Sequence, residues 1–186
     1  APGDRIKELT IAQEFGTSQA PVREAIRCLE TLGYVQHTPH VGVTVRTFCK
    51  KEIEEAYQVR EALEVHSVSL MDGKVETLVD ELSECLEQMK RAASDGSIRM
   101  FTHADNRFHR SIVSFASNGT MLSIWESLKM QLQVIATLVE ASMPLDRIYE
   151  LHPPIVKALK DEGHIPAARL LKGHYKAVSE HWESIK

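Results

Sequence analysis

Short helical patterns separated by glycine open the chain. Apolar residues recur at helical spacing from Ile6 to Phe15, and Gly16 follows at the position where many helices end. Ser18 stands where a second helix would take its N-cap, and this second pattern runs to Leu32. Two helices separated by about three residues have the spacing of a helix-turn-helix.

An alternating pattern follows the second helix. Val41, Val43 and Val45 recur at period two, and Pro39 and His40 supply turn chemistry between two short strands. Helix, turn, helix and β-hairpin is the order of a winged helix. We therefore predict a winged helix-turn-helix domain over residues 1–49.

Long amphipathic patterns without a strand signal occupy the remainder of the chain. Breaks that contain glycine or proline divide residues 51–186 into six predicted helices. These breaks lie at residues 71–73, 94–96, 117–119, 143–145 and 161–163. The sequence therefore predicts a mainly α protein in which residues 50–186 form an all-α bundle.

Composition narrows the class of protein. The 186 residues are 43% hydrophobic and 26% charged, and no apolar run approaches the roughly 18 residues that cross a bilayer. Cys28, Cys49 and Cys85 are scattered without a Cys-x-x-Cys spacing, which argues against a disulfide scaffold and a thiolate zinc site. No secretory signal pattern opens the chain. We expect a cytoplasmic protein with no membrane partner.

The net charge of −4 would ordinarily disfavour a nucleic-acid partner. Residues 1–49, however, carry five basic and five acidic side chains, so the whole excess of negative charge lies in residues 50–186. The predicted winged helix is therefore neutral, and its charge does not exclude binding to DNA.

Polar side chains of metal-binding type occupy positions on the apolar stripes of the predicted bundle. Asp105 and His109 lie on the third bundle helix, His152 on the fifth and His174 on the sixth. Each would cost several kcal/mol if buried without a partner, and a shared divalent transition metal would remove that cost. The alternative is that the histidines are ordinary core residues and that Asp105 and His109 form an i,i+4 pair.

Arg60 also falls on an apolar stripe, on the first bundle helix. A guanidinium that faces a core requires an anion. Arg60 would clamp the carboxylate of a bound ligand near the metal, or it would pair with a neighbouring acid such as Glu64. The sequence leaves both alternatives open.

Sequence motifs in both domains match one family of proteins. Residues 15–18 read Phe-Gly-Thr-Ser and residues 21–26 read Pro-Val-Arg-Glu-Ala-Ile, while residues 59–64 read Val-Arg-Glu-Ala-Leu-Glu and residues 105–109 read Asp-Asn-Arg-Phe-His. With these motifs the chain resembles the GntR family of bacterial transcription regulators, in the FadR-like branch with a C-terminal FCD domain. Six bundle helices resemble the VanR-type subgroup.

This resemblance implies a function for each domain. The winged helix would bind operator DNA as a homodimer, and the bundle would bind a metal and a small organic acid effector that alters operator affinity. The implied ligands of one metal ion per chain are Asp105, His109, His152 and His174. Zinc or nickel is favoured and manganese or iron is accepted. Arg60 is the candidate effector contact.

The resemblance also places the contacts to DNA. The candidate residues are Ser18, Gln19 and Arg23 in the major groove, His40 and Gly42 in the wing, and Lys7 near a phosphate. The alternative for Arg23 is a partner such as Glu24 or Glu30 on a solvated helix face. Gln19 stands where the family usually carries arginine. A further helix usually precedes residue 2 in the family, and we therefore expect the winged helix to be incomplete at its N-terminus.

Two other functions remain as alternatives. A site with three histidines and one aspartate could serve a metalloenzyme in hydrolysis or oxygen chemistry, although no general base is assigned. Alternatively, the metal has a purely structural role in stabilising the bundle, and no response to an effector is then expected. A regulator is favoured over the metalloenzyme because an enzyme would leave the winged helix without a role.

Overall fold

The computed structural model describes residues 3–71, 75–128 and 144–184, with side chains described as far as residue 180. The chain divides into two compact units, Ala1–Cys49 and Lys50–Lys186. Among the described residues, no helix has both the length and the apolar character that crossing a bilayer requires.

The first unit contains two helices followed by a β-hairpin, which confirms the predicted winged helix. Its elements are α1 (Glu8–Glu14), α2 (Gln19–Thr31), β1 (Val35–Thr38) and β2 (Gly42–Val45). The strands pair antiparallel, with Val35 opposite Val45. Ala12 of α1 packs with Val22 and Ile26 of α2, which lie four residues apart on one helix face.

A short N-terminal segment also pairs with the hairpin, and the sequence does not predict this contact. Arg5 forms an antiparallel bridge with Thr44, and the Ile6 amide donates to the Val43 carbonyl oxygen at 2.8 Å. These residues satisfy the edge of β2 that β1 leaves open, so that edge is not available to another strand.

Helices make up the described part of the second unit. They are α3 (Lys50–Ser69), α4 (Glu76–Ser94), α5 (Ile98–Phe115), α6 (Gly119–Ser127), α7 (Leu145–Tyr149), α8 (Pro153–Asp161) and α9 (His164–Ser184). The remainder of the predicted fourth helix, and the predicted break residues 72, 73 and 143, lie outside the described ranges.

The residues predicted to form one fifth bundle helix form two, α7 and α8. Pro153 and Pro154 have no N–H to donate to a preceding turn, so one helix cannot run through them with its hydrogen bonds intact. The chain therefore leaves helix at Glu150 and re-enters it at Pro153. His152 is the N-cap residue of α8 and not a mid-helix position, which corrects the predicted stripe.

The central helix of the second unit is α5. It begins after Ser97, whose side chain accepts a hydrogen bond from the Met100 amide. Phe101, Phe108 and Ile112 are fully buried, and α4 packs along α5 while α9 packs on α3 and α8. Because this side of α5 is closed to water, a polar side chain on it must be satisfied by other protein groups or by a bound ion.

We expect Leu82→Ala to lower the free energy of unfolding of the second unit by about 2–5 kcal/mol, because it leaves a cavity between α4 and α5. Leu82 is fully buried in this core. Leu170→Ala is the matched control, since Leu170 is 40% exposed and its truncation should cost less than about 1 kcal/mol. Urea denaturation followed by tryptophan fluorescence measures both, and equal losses would contradict the assignment of the core.

Candidate metal centre

Four polar side chains predicted from the sequence lie together in the interior of the second unit. Asp105 and His109 come from successive turns of α5, His152 from the start of α8 and His174 from α9. All four are at least 95% buried. One candidate ligand nitrogen from each histidine lies within 4.8 Å of those of the other two. The Asp105 Oδ1 atom is 3.2 Å from His152 Nε2 and 3.7 Å from His109 Nε2.

Hydrogen bonds at the outer ring nitrogens fix how two of these histidines face the centre. His152 Nδ1 lies 2.9 Å from the Ile148 carbonyl oxygen, which can only accept, so Nδ1 carries the proton. His109 Nδ1 lies 2.6 Å from Glu64 Oε2, and an ionised carboxylate likewise only accepts. Both rings therefore turn Nε2 toward the centre, as metal-binding histidines commonly do.

The two inner nitrogens face each other across a short gap. His109 Nε2 and His152 Nε2 are 3.3 Å apart. Neutral rings protonated at Nδ1 have only lone pairs at these positions, so they require an added proton or a cation between them. A tetrahedral ion with metal–nitrogen bonds of about 2.0–2.1 Å separates two ligand nitrogens by about 3.3–3.4 Å. The spacing and the donor set therefore fit a divalent metal.

His174 supplies a further polar atom that the protein does not satisfy. Its Nδ1 atom is buried and has no hydrogen-bond partner in the described part of the chain. Burial, reinforced by His152 and His109, holds the pKa of His174 well below its usual range. The ring is therefore neutral at physiological pH, which is the protonation state that binds a metal.

Glu64 is a member of this site that the sequence analysis did not assign to it. Its Oε1 accepts hydrogen bonds from Arg60 Nε and from Trp125 Nε1, each at 2.7 Å, and its Oε2 faces His109 Nδ1. Burial would raise the pKa of Glu64, but the positive charges and hydrogen bonds of His109 and Arg60 lower it to about 2. The sequence feature that could assign Glu64 to the site is its position four residues after Arg60, since residues with this spacing share a helix face.

Arg60 thus pairs with Glu64, one of the two alternatives that the sequence left open, and it also faces the centre. Its Nη2 atom is buried, lies 3.9 Å from Asp105 Oδ2 and has no hydrogen-bond partner among the residues described. The guanidinium lies 5.4 Å from the centre of the Trp125 ring and 5.8 Å from that of Tyr175. One donor of Arg60 therefore remains for an anion on the Asp105 side.

Electrostatics keep the two carboxylates of the site ionised. Burial acts to raise the pKa of Asp105, but His109 and His152 lower it well below its usual range through charge and hydrogen bonding. Burial and Arg60 act to lower the pKa of His109, and the carboxylates of Glu64 and Asp105 outweigh them and raise it. The centre therefore attracts positive charge, and a metal cation would supply it.

The predicted DNA contacts lie in the first unit. Ser18 is the N-cap residue of α2, Gln19 is its first residue and Arg23 lies one turn further on, and all three are exposed. Lys7 precedes α1. His40 lies within the hairpin turn and Gly42 is the first residue of β2, and both have positive φ.

Arg23 does not pair with the acidic residues that the sequence suggested. It donates from Nε and Nη2 to Glu8 Oε2 at 3.2 and 3.0 Å, while Glu24 pairs with Arg27 at 2.9 Å. The contact joins the start of α1 to α2.

We expect Arg60→Met to lower the free energy of unfolding of the metal-free protein by about 3–5 kcal/mol, because it leaves Glu64 as a buried charge with one cationic partner fewer. Chemical denaturation in the presence of a chelator measures the loss. The double variant with Glu64→Gln should lose clearly less than the sum of the two single variants. Strict additivity would show that the two side chains do not interact.

Comparisons with known proteins agree with this architecture. Residues 1–45 match the model of the bacterial regulatory proteins of the gntR family, and residues 55–177 match the model of the FCD domain. Among solved structures, a GntR transcriptional regulator from Rhodococcus sp. RHA1 superimposes with a TM-score of 0.84 at 21% identity, over 100% of this chain and 90% of the other. That likeness shows the fold.

Curated relatives carry the assignment further. The chain is 38% identical over 158 residues to the "Probable D-xylose utilization operon transcriptional repressor" of Paenarthrobacter nicotinovorans, covering 85% of this chain and 70% of that protein. It is 28% identical to the gluconate operon transcriptional repressor of Bacillus subtilis, covering 98% and 78%. The matching families and relatives are transcriptional regulators and not enzymes, which favours the predicted regulator over the metalloenzyme. The chain belongs to the GntR family of bacterial transcription regulators and carries an FCD domain.

Proposed function

We propose that this regulator binds operator DNA with an affinity set by a small carboxylate effector, which binds at a metal ion held by Asp105, His109, His152 and His174. The observation that carries the proposal is the 3.3 Å gap between His109 Nε2 and His152 Nε2, whose outer nitrogens are both committed to acceptors. Two neutral rings would leave lone pairs facing each other there, and either a shared proton or a metal ion would relieve this repulsion. A metal converts that repulsion into two bonds.

The donor set of three imidazoles and one carboxylate favours zinc or nickel and accepts manganese or iron. One ion per chain would use Asp105 from α5 and the three histidines from α5, α8 and α9. Four protein ligands would fill a tetrahedral ion, so the effector would bind only if the ion accepts at least one further ligand. In that case the ion would act as a Lewis acid toward a carboxylate oxygen.

Arg60 supports the proposal of an acidic effector. Its buried Nη2 atom has no hydrogen-bond partner within the described ranges and lies on the Asp105 side of the centre. A guanidinium that is already held by Glu64 and lies near the Trp125 and Tyr175 rings loses little freedom when it binds an anion. We infer that Arg60 donates to the effector carboxylate while the metal binds its other oxygen.

The first unit is proposed to make the contacts with operator DNA. Ser18, Gln19 and Arg23 at the start of α2 would face the major groove, with His40 and Gly42 in the wing and Lys7 near a phosphate. Gln19 supplies an amide where arginine is usual in the family, so Arg23 is the strongest candidate for a guanine or phosphate contact. The protein would act as a homodimer in the cytoplasm.

The two activities must be coupled for the effector to regulate transcription. A coupling free energy of about 1–3 kcal/mol is typical, and it changes both affinities by the same factor. Effector affinity should therefore differ between the free protein and the protein saturated with DNA. Equal effector affinities would leave the metal with a purely structural role.

We expect elemental analysis to find about one metal ion per chain in the protein and little in His174→Ala. Small carboxylic acids offered as a panel should raise the melting temperature only when the metal is present, because a ligand stabilises the state that it binds. His164→Ala, which changes an exposed histidine of the same helix, should behave like the unmodified protein. Absence of metal after zinc, nickel and manganese are offered would contradict the proposed site.

We expect Arg23→Ala to reduce the binding free energy for operator DNA by about 1–3 kcal/mol. The DNA is a duplex that the unmodified protein selects from a random library. The loss reflects removal of a guanidinium contact in the major groove, and fluorescence anisotropy at fixed salt measures it. Arg99→Ala removes the same charge from an exposed position in the second unit and should leave affinity unchanged. Unchanged binding by Arg23→Ala would remove this residue from the DNA-binding surface.

A further inference from the structure

A second carboxylate lies behind the proposed metal ligands. Glu64 on α3 is fully buried, and its Oε2 atom is 2.6 Å from the outer nitrogen of His109 on α5. The inner nitrogen of the same ring faces Asp105 at 3.7 Å and His152 at 3.3 Å. The imidazole of His109 therefore lies between two acidic side chains, one toward the centre and one behind it.

The two oxygens of Glu64 have different partners. Oε1 accepts from Arg60 Nε and from Trp125 Nε1, while Oε2 accepts from His109. The bonds from Arg60 and Trp125 hold the carboxylate in one orientation, because both donors are rigid and planar groups. Oε2 is thereby kept in place as an acceptor for the His109 N–H.

We propose that Glu64 is the positioning residue of the metal site: its fixed acceptor oxygen keeps the proton of His109 on Nδ1 and so leaves Nε2 free to bind the metal. This inference rests on the proposed metal centre and adds to it a residue that does not touch the metal. Carboxylates that hold a metal-binding imidazole in this way also make it a more basic ligand, and their loss commonly costs tenfold to hundredfold in metal affinity.

Substitution of Glu64 by glutamine inverts the hydrogen bond without changing the size of the side chain. The amide oxygen would continue to accept from Arg60 and Trp125, which turns the NH₂ group toward His109. A donor at that position requires His109 Nδ1 to accept, so the ring proton moves to Nε2. A protonated Nε2 cannot bind a metal until it loses that proton.

The position of the proton can be measured in the unmodified protein. In the metal-free protein labelled with ¹⁵N-histidine, NMR should show a proton on His109 Nδ1, and after addition of zinc the bonded nitrogen should be Nε2. A proton on Nε2 alone, or zinc bound through Nδ1, would overturn the proposal. This NMR measurement uses the unmodified protein and does not depend on the folding of any variant.

Variants test the same point through metal affinity. Competition with a chelator should show that Glu64→Gln binds zinc tenfold to hundredfold more weakly than the unmodified protein. NMR of this variant should show that His109 Nδ1 has lost its proton. Glu64→Asp keeps a carboxylate and should retain the Nδ1 proton and more of the affinity. Glu61→Gln makes the same chemical change one turn away on α3 and should match the unmodified protein.

The outcomes separate this inference from the proposed function. If the unmodified protein binds zinc and a folded Glu64→Gln variant binds it equally well, Glu64 does not position His109, although the metal site stands. If the unmodified protein binds neither zinc, nickel nor manganese, the metal site itself is wrong and the inference falls with it.

Discussion

The buried carboxylate of Glu64 is the constraint on which the interior of the second unit depends. An ionised carboxylate without solvent is costly unless several donors surround it, and Glu64 has donors from Arg60, His109 and Trp125. These donors come from α3, α5 and α6, so satisfying one side chain fixes three helices relative to one another. The orientation of His109, and through it the geometry around Asp105 and His152, follows from that requirement.

The sequence predicts most of the candidate ligands because their positions break an apolar pattern. Asp105 and His109 stand among Phe101, Phe108 and Ile112 on α5, and side chains at helical spacing share a face wherever that helix packs. The buried position of His152 is predicted correctly but by an incomplete argument, since the helix break before Pro153 interrupts the helical spacing on which the prediction depends. The prediction of the ligand set therefore survives an error in one helix boundary.

Other features required three-dimensional information. Glu64 was recognised only as a partner for Arg60, because a helical pattern cannot say which neighbouring helices bring donors such as Trp125 and His109. The pairing of residues 3–6 with β2 was missed for a similar reason, since a strand bridge depends on a partner distant in sequence. Local signals were sufficient for the helices and the hairpin, where glycine and alternating valines mark the boundaries.

The pair between Arg23 and Glu8 has a consequence for selectivity. If Arg23 contacts DNA as proposed, it must first leave a carboxylate that it meets through two nitrogens. A guanine edge offers a guanidinium two acceptors at fixed positions, so Arg23 would exchange Glu8 for the base only where that base is correctly placed. Elsewhere the guanidinium would stay paired with Glu8 and would add nothing to the affinity for the duplex, so the carboxylate would restrict the contribution of Arg23 to matching sequences.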